Sequence, residues 1–176
     1  MIIGIFSDTH DCKTNIELTR NTFVNEKVEF SIFCGDLVSP FTLKYLSNWP
    51  TPIKAVFGNN EGDLWGIKRR LKKYEMLNFE YAPKSGLFWE INLGIDKIAV
   101  YHGNISKFTE LLINSGEYRL VCTGHTHTPF ISKIGSTTWI NPGSVIGVSE
   151  DPEIMEGTVA TFNTETNIGK IIKLVS

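Results

Sequence analysis

Few cysteines, no long apolar run and almost no excess of charge set the first limits on this 176-residue sequence. Cys12, Cys34 and Cys122 are an odd number without a C-x-x-C pair. That argues against a disulfide framework and fits a reducing compartment. The apolar start Met1–Phe6 gives way to Ser7 and Asp8, and no basic segment precedes it. A signal peptide needs both parts and a membrane span needs about 20 apolar residues, so a cytoplasmic protein with no membrane partner is expected. Seventeen basic and nineteen acidic side chains leave a net charge of -2, so nucleic acid is not an expected partner. Hydrophobic residues at 41% and charged residues at 20% exclude disorder, and the length suits one domain over residues 1–176.

The first half alternates strand and helix signals. Met1–Phe6, Glu29–Cys34 and Ile53–Phe57 read as short buried strands. Thr14-x-x-Glu17 has the form of a capping box, with Ile16, Thr19 and Phe23 following at helical spacing. Ser39-Pro40 supplies an N-cap and a first-turn proline for a helix ending near Asn48. Leu64, Ile67, Leu71 and Tyr74 form the apolar stripe of another helix. The second half reads as hairpins. Leu87–Leu93 and Lys97–His102 turn around Gly94–Asp96, and Phe130–Ile134 and Thr137–Ile140 turn at Gly135-Ser136, a type II′ signal. Gly157–Asn163 pairs with Ile168–Val175. Between the first two hairpins lie a helix with Phe108, Leu111 and Leu112 inward, stopped by Gly116, and a strand Arg119–Thr123. Together these predict an α/β fold of two mixed β-sheets packed face to face, flanked by helices.

Five segments place metal-competent side chains just after a predicted strand: Asp8-Thr9-His10, Gly35-Asp36, Gly58-Asn59-Asn60, His102-Gly103-Asn104 and Gly124-His125-Thr126-His127. Loops at the carboxyl ends of strands are where α/β sheets bind ligands. Carboxylate, imidazole and amide oxygen together suit Mn, Fe, Zn or Ni better than Ca. Seven such side chains exceed the needs of one four-coordinate ion and suit two that share a carboxylate. Two divalent cations outweigh two carboxylates and a bridging hydroxide. The remaining positive charge would be neutralised by a phosphate ester.

The ordered set D-x-H, G-D, G-N, H-G and G-H-x-H resembles the calcineurin-like metallophosphoesterase superfamily, above all its small single-domain phosphodiesterase branch of bacteria and archaea. The match runs from Asp8 to Asn141-Pro142-Gly143-Ser144, a loop that branch also carries. The resemblance implies a four-layer αββα sandwich and two divalent metal ions, Mn first and Ni, Fe or Zn as alternatives. One ion would be held by Asp8, His10, Asp36 and His127, the other by Asp36, Asn59, His102 and His125, with Asp36 bridging. It also implies hydrolysis of a small phosphoester by an activated hydroxide, with Asp36 and Asn60 as catalytic residues. A homo-oligomer is left open. A scaffold of the same fold and a nuclease are the competing readings, and 176 residues leave no room for the capping domain that nucleases of the superfamily add.

Blander roles stand beside these. Asp36 could cap the helix near Ser39, Asn59 could be a turn former, and Cys12 an incidental loop residue rather than a thiolate ligand. Asn141–Ser144 is either a rigid turn or a loop that places an amide near the metal ligands. The basic run Lys68–Lys73 is either a solvated helix face or a source of positive potential for an anionic substrate. Many relatives carry histidine where this chain has Asn60, and H-G-H where it has Asn104. An amide is a poor general acid, a role typically contributing about 10²–10⁴-fold, so esters with good leaving groups are the expected substrates. Glu61 or Asp63 could donate the proton if either reaches the site.

Overall fold

The computed structural model describes residues 1–94, 96–147 and 156–175. Four short strands, β1 (Ile2–Phe6), β2 (Phe30–Phe33), β3 (Ile53–Ala55) and β4 (Phe79–Tyr81), lie parallel and in that order. The helices α1 (Lys13–Asn25), α2 (Leu43–Leu46) and α3 (Leu64–Lys73) connect them. The second half forms β5 (Phe88–Leu93), β6 (Asp96–Tyr101), α4 (Ser106–Asn114), β7 (Leu120–Cys122), β8 (Phe130–Ile134) and β9 (Thr137–Asn141). It ends with β10 (Thr158–Asn163) and β11 (Ile168–Lys173).

The last hairpin returns to the first half of the chain. β10 pairs antiparallel with β1, giving a six-stranded sheet ordered β11-β10-β1-β2-β3-β4. The other sheet is ordered β5-β6-β7-β9-β8, with β6, β7 and β9 parallel and the two edge strands antiparallel. Both sheets are mixed, as expected.

Three buried apolar layers separate four layers of structure. Phe6, Phe23, Phe33, Leu43, Leu46 and Ile67 fill the space between the first sheet and α1–α3. Ile3, Ile5, Ile32, Ile98, Val100, Leu120 and Ile140 lie between the sheets. Ala99, Tyr101, Leu112, Ile113 and Val121 lie between the second sheet and α4. The alternation is plain in β1: Ile3 and Ile5 enter the central layer, while Phe6 joins the outer one.

Three local expectations need correction, and one strand has no counterpart among the expected ones. The N-cap of α1 is Cys12, with no side-chain cap, so Thr14 sits inside the helix and the capping box does not form. Ser39 does cap, accepting from the Phe41 N–H at 3.2 Å, but it opens a single 3-10 turn (Pro40–Thr42) followed by the one-turn α2. In α4 Phe108 and Leu112 pack inward as expected, together with Thr109 and Ile113, while Leu111 is exposed. β4 gave no strand signal because it is only three residues long, FEY, at the sheet edge.

Glycine at position 4 lets α1 approach the sheet closely. A Cβ there would meet the Phe23 ring at 2.6–2.9 Å. That ring is fully buried and boxed in edge-on by Phe6 and Trp49, each 5.9 Å away, so it cannot yield cheaply. Gly4→Ala should cost about 1–3 kcal/mol. Urea unfolding should show a lower midpoint at constant slope, and an unchanged midpoint would contradict this packing account.

Candidate metal centre

All five chemistry-bearing segments meet at one edge of the sandwich, where the carboxyl ends of β1, β2, β3, β6 and β7 converge. The backbone sews the first two together. Asp8 N–H donates to the Gly35 carbonyl at 2.9 Å, and the Thr9 and His10 N–H groups both donate to the Asp36 carbonyl, at 3.1 and 3.2 Å. Asp11 carries the seam further, accepting from the Ser39 N–H and the Thr42 hydroxyl. The strand ends stop abruptly because the chain turns into left-handed conformations. Asp8 (φ 55°), His10 (38°), Asp36 (62°), His125 (71°) and His127 (58°) all lie there. Such residues cost about 1–3 kcal/mol each and persist where surrounding structure enforces them, most often at functional sites.

The side chains form two groups around Asp36. On one side, His10 Nε2 and His127 Nε2 are 3.4 Å apart. Asp8 Oδ1 lies 3.2 Å from His127 Nε2 and 3.8 Å from His10 Nε2, and Asp36 Oδ2 lies 3.6 Å from His10 Nε2. On the other side, His102 Nε2 is 3.5 Å from Asp36 Oδ1 and 2.9 Å from Asn59 Oδ1. The His125 ring stands 5.2 Å from the His102 ring. Asp36 therefore turns one carboxylate oxygen towards each group. Donor atoms of Asp8, His10 and His127, and likewise of Asp8, Asp36 and His102, lie within 4.8 Å of one another.

This arrangement suits cations. Asp8 and Asp36 are at most 1% exposed, and among the described residues their ion-pair partners are imidazoles. His102 Nδ1 lies 2.7 Å from the Cys34 carbonyl, which can only accept, so Nδ1 carries a proton and Nε2 is the atom left to coordinate. Nε2 faces Asn59 Oδ1 and Asp36 Oδ1. Among the described residues no hydrogen bond reaches buried Asp8 Oδ1, although His127 Nε2 stands 3.2 Å from it. A divalent cation satisfies both features, and the mixed imidazole, carboxylate and amide donors are of the class transition metals take.

The charge states fit as well. Burial presses the Asp8 carboxyl upward, but His127 against it and His102 nearby outweigh this and hold it below the ordinary carboxylate range. Burial, then the neighbouring His102, pushes His125 below the ordinary histidine value, keeping the imidazole neutral and its nitrogen free to coordinate.

The remaining candidates find definite places. Asn60 grips Asp36 with its backbone N–H on Oδ1 at 2.9 Å and its side-chain amide on Oδ2 at 2.7 Å. Glu61 does not face a leaving group: its two oxygens accept from the Leu37 N–H at 3.1 Å and the Gly58 N–H at 2.8 Å, tying two ligand loops together. Burial pushes its carboxyl up. Asp63 caps α3, accepting from the Gly66 N–H at 2.8 Å. Asn104 is turned onto the Tyr101 hydroxyl at 2.8 Å. In the basic run, Arg70 stacks over Phe41 at 3.9 Å, while Lys68, Arg69, Lys72 and Lys73 are exposed.

The Asn141–Ser144 loop supports the ligand loops, a role the sequence left undecided. Asn141 Nδ2 donates to the Gly124 carbonyl at 2.7 Å and to Thr126 Oγ1 at 3.1 Å, and the Ser144 hydroxyl donates to the Asp8 carbonyl at 3.0 Å. Its signal was a run of turn formers directly after a strand. Two glycines also have a packing role that spacing alone does not reveal. A Cβ at Gly35 (φ 103°) would press on Gly58 N at 2.7 Å and His102 Nδ1 at 2.9 Å, and one at Gly58 would overlap the Asp36 carboxylate.

The chain matches the family model of the calcineurin-like phosphoesterase superfamily domain over residues 1–167. It is 37% identical over 147 residues to the phosphodiesterase MJ0936 of Methanocaldococcus jannaschii, covering 84% of this chain and 86% of that one. A solved archaeal phosphodiesterase superposes with a TM-score of 0.87 at 33% identity, covering 99% of this chain and 100% of that chain. Vps29 of Chaetomium thermophilum shares the fold, with a TM-score of 0.67 at 14% identity over 98% of this chain and 96% of its own. The family model spans nearly the whole chain and the Methanocaldococcus jannaschii relative exceeds 30% identity, so this protein belongs to the calcineurin-like phosphoesterase superfamily.

Proposed function

We propose that this protein is a divalent-metal-dependent phosphodiesterase that hydrolyses small phosphodiesters with good leaving groups. The observation that carries this reading is Asp36, a buried carboxylate with one oxygen directed at each of two imidazole-bearing groups. Asp8, His10, Asp36 and His127 would hold one ion, and Asp36, Asn59, His102 and His125 the other. Mn is the proposed metal, with Ni, Fe or Zn as alternatives of the same donor preference. Ions so held supply Lewis acidity for a phosphoryl oxygen and lower the pKa of water towards neutrality. The phosphodiesterase name of a 37%-identical relative supports the reaction class. A cytoplasmic location fits the three free cysteines.

The chain's own residues fix and shape this chemistry. The Cys34 carbonyl sets the His102 tautomer, and Asn60 keeps the Asp36 carboxylate plane from rotating away from either group. All four histidines belong to the proposed ligand set. Glu61 and Asp63 are engaged with backbone amides. No imidazole acid is therefore left for the departing oxygen, and the leaving group's own acidity carries the cost of bond breaking. Among the described residues no helix is long and apolar enough to cross a membrane.

Four outcomes test this reading. Added Mn²⁺ should raise the thermal midpoint of the metal-stripped protein and restore phosphodiester hydrolysis, because binding to the folded state alone stabilises it. Asp36→Asn should lose both effects, and retained metal-dependent turnover would refute the bridging assignment. Asn60→Ala should lower kcat/KM about 10–100-fold, the usual range for a residue that orients a ligand, while folding remains cooperative. An aryl phosphodiester should be hydrolysed far faster than a dialkyl one, and equal rates would show that a proton donor reaches the leaving group.

A further inference from the structure

The second sheet is covered on its outer face by one helix. α4 crosses from β6 to β7 and packs over Ala99, Tyr101 and Val121, whereas β9 and β8 lie beyond β7 in the sheet order. Outward side chains of these two strands therefore stand beside the helix. Between Ile113 of α4 and Ile134 and Trp139 of the β8–β9 hairpin runs a groove of about 290 Å³. One end is formed by Gly103 and Thr126, which directly follow His102 and His125. The groove is thus continuous with two loops of the candidate metal centre.

Its chemistry defines what it takes. Trp139 donates its indole N–H to Thr123 Oγ1 at 2.9 Å and receives the Phe130 ring edge-on at 4.5 Å, so the half-exposed indole is held in place with its polar edge satisfied. A fixed, partly wet aromatic surface of this kind favours another ring. Glu110 lines the wall and pairs at its exposed end with Lys107 at 3.5 Å, and its negative charge disfavours a second anionic group. The volume lies near the lower end for small-molecule sites, enough for one ring system and too little for a long chain.

We propose that this groove binds the uncharged, ring-sized organic group of the phosphodiester while the phosphate lies at the metal centre. The proposal rests on the phosphodiesterase reading for its substrate, and on the groove's own composition for the shape and charge of the group.

Two methyl phosphodiesters with leaving groups of matched acidity test it, one bearing phenol and the other a small fluorinated alcohol. The Mn²⁺-loaded enzyme should show a KM about tenfold lower for the phenyl ester, from apolar area that only the ring buries. Ser106→Trp, which fills the groove from an exposed position at the start of α4, should erase that difference by raising the phenyl KM. Ile134→Glu, on the edge strand, should do the same independently. Equal KM values in the unaltered enzyme, or a preference that survives both variants, would overturn the proposal. Titration of methyl phenylphosphonate gives a readout without turnover: the Trp139 indole N–H resonance should shift, and not in Ser106→Trp. A shift at exposed Trp65 instead would overturn the groove assignment. If no metal restores hydrolysis of either ester but Trp139 still responds, the groove stands and the phosphodiesterase reading falls.

Discussion

Two carboxylates enclosed by protein and faced by imidazoles are the constraint on which the rest of this molecule depends. An ionised carboxylate buried without compensation costs many kcal/mol, and here no lysine or arginine ion pair among the described residues relieves Asp8 or Asp36. The surrounding architecture concentrates the compensation instead. Backbone N–H groups of His125 and Asn60 reach the two carboxylates, at 3.1 and 2.9 Å, and histidines from both sheets approach from opposite sides. The first sheet supplies Asp8, His10, Asp36 and Asn59, and the second supplies His102, His125 and His127. The centre exists only when the sheets are docked, so the apolar layer of Ile3, Ile5, Ile98, Val100 and Leu120 is also what brings the donors within range.

Much of this was legible in the sequence, for physical reasons that differ from residue to residue. The ligand segments were readable because each follows an apolar run that can only be a buried strand, and because strand ends in such folds share an edge. Glycines at 35, 58, 103 and 124 marked the same places. Sheet order was not readable, since a pairing such as β1 with β10 links residues more than 150 positions apart without a local signature. Neither was β4, where three residues of mixed polarity form a strand because β3 offers a free edge.

The capping-box error has a similar origin. Thr14 and Glu17 have the right spacing, but the loop from Asp8 is pulled tight against the Asp36 carbonyl, and the helix starts one residue before Thr14 as a consequence. Tertiary hydrogen bonds outrank a local cap worth about 1 kcal/mol. Asn60 is legible as a site residue, but how it acts is hidden, because nothing in a dipeptide reveals that its backbone and side-chain amides will both land on one carboxylate 24 residues away.

The left-handed backbone at Asp8, His10, Asp36, His125 and His127 restricts which amino acids can occupy these positions at all. Aspartate, asparagine and histidine tolerate that conformation far better than β-branched or bulky residues. The same three residue types are the oxygen and nitrogen donors a metal centre requires. Conformation and coordination thus filter the alphabet in the same direction. An exchange of aspartate or histidine for asparagine removes charge or basicity while keeping the fold of the loop, whereas valine or threonine would distort the loop before any question of binding arose. In this centre chemistry can be subtracted without subtracting shape.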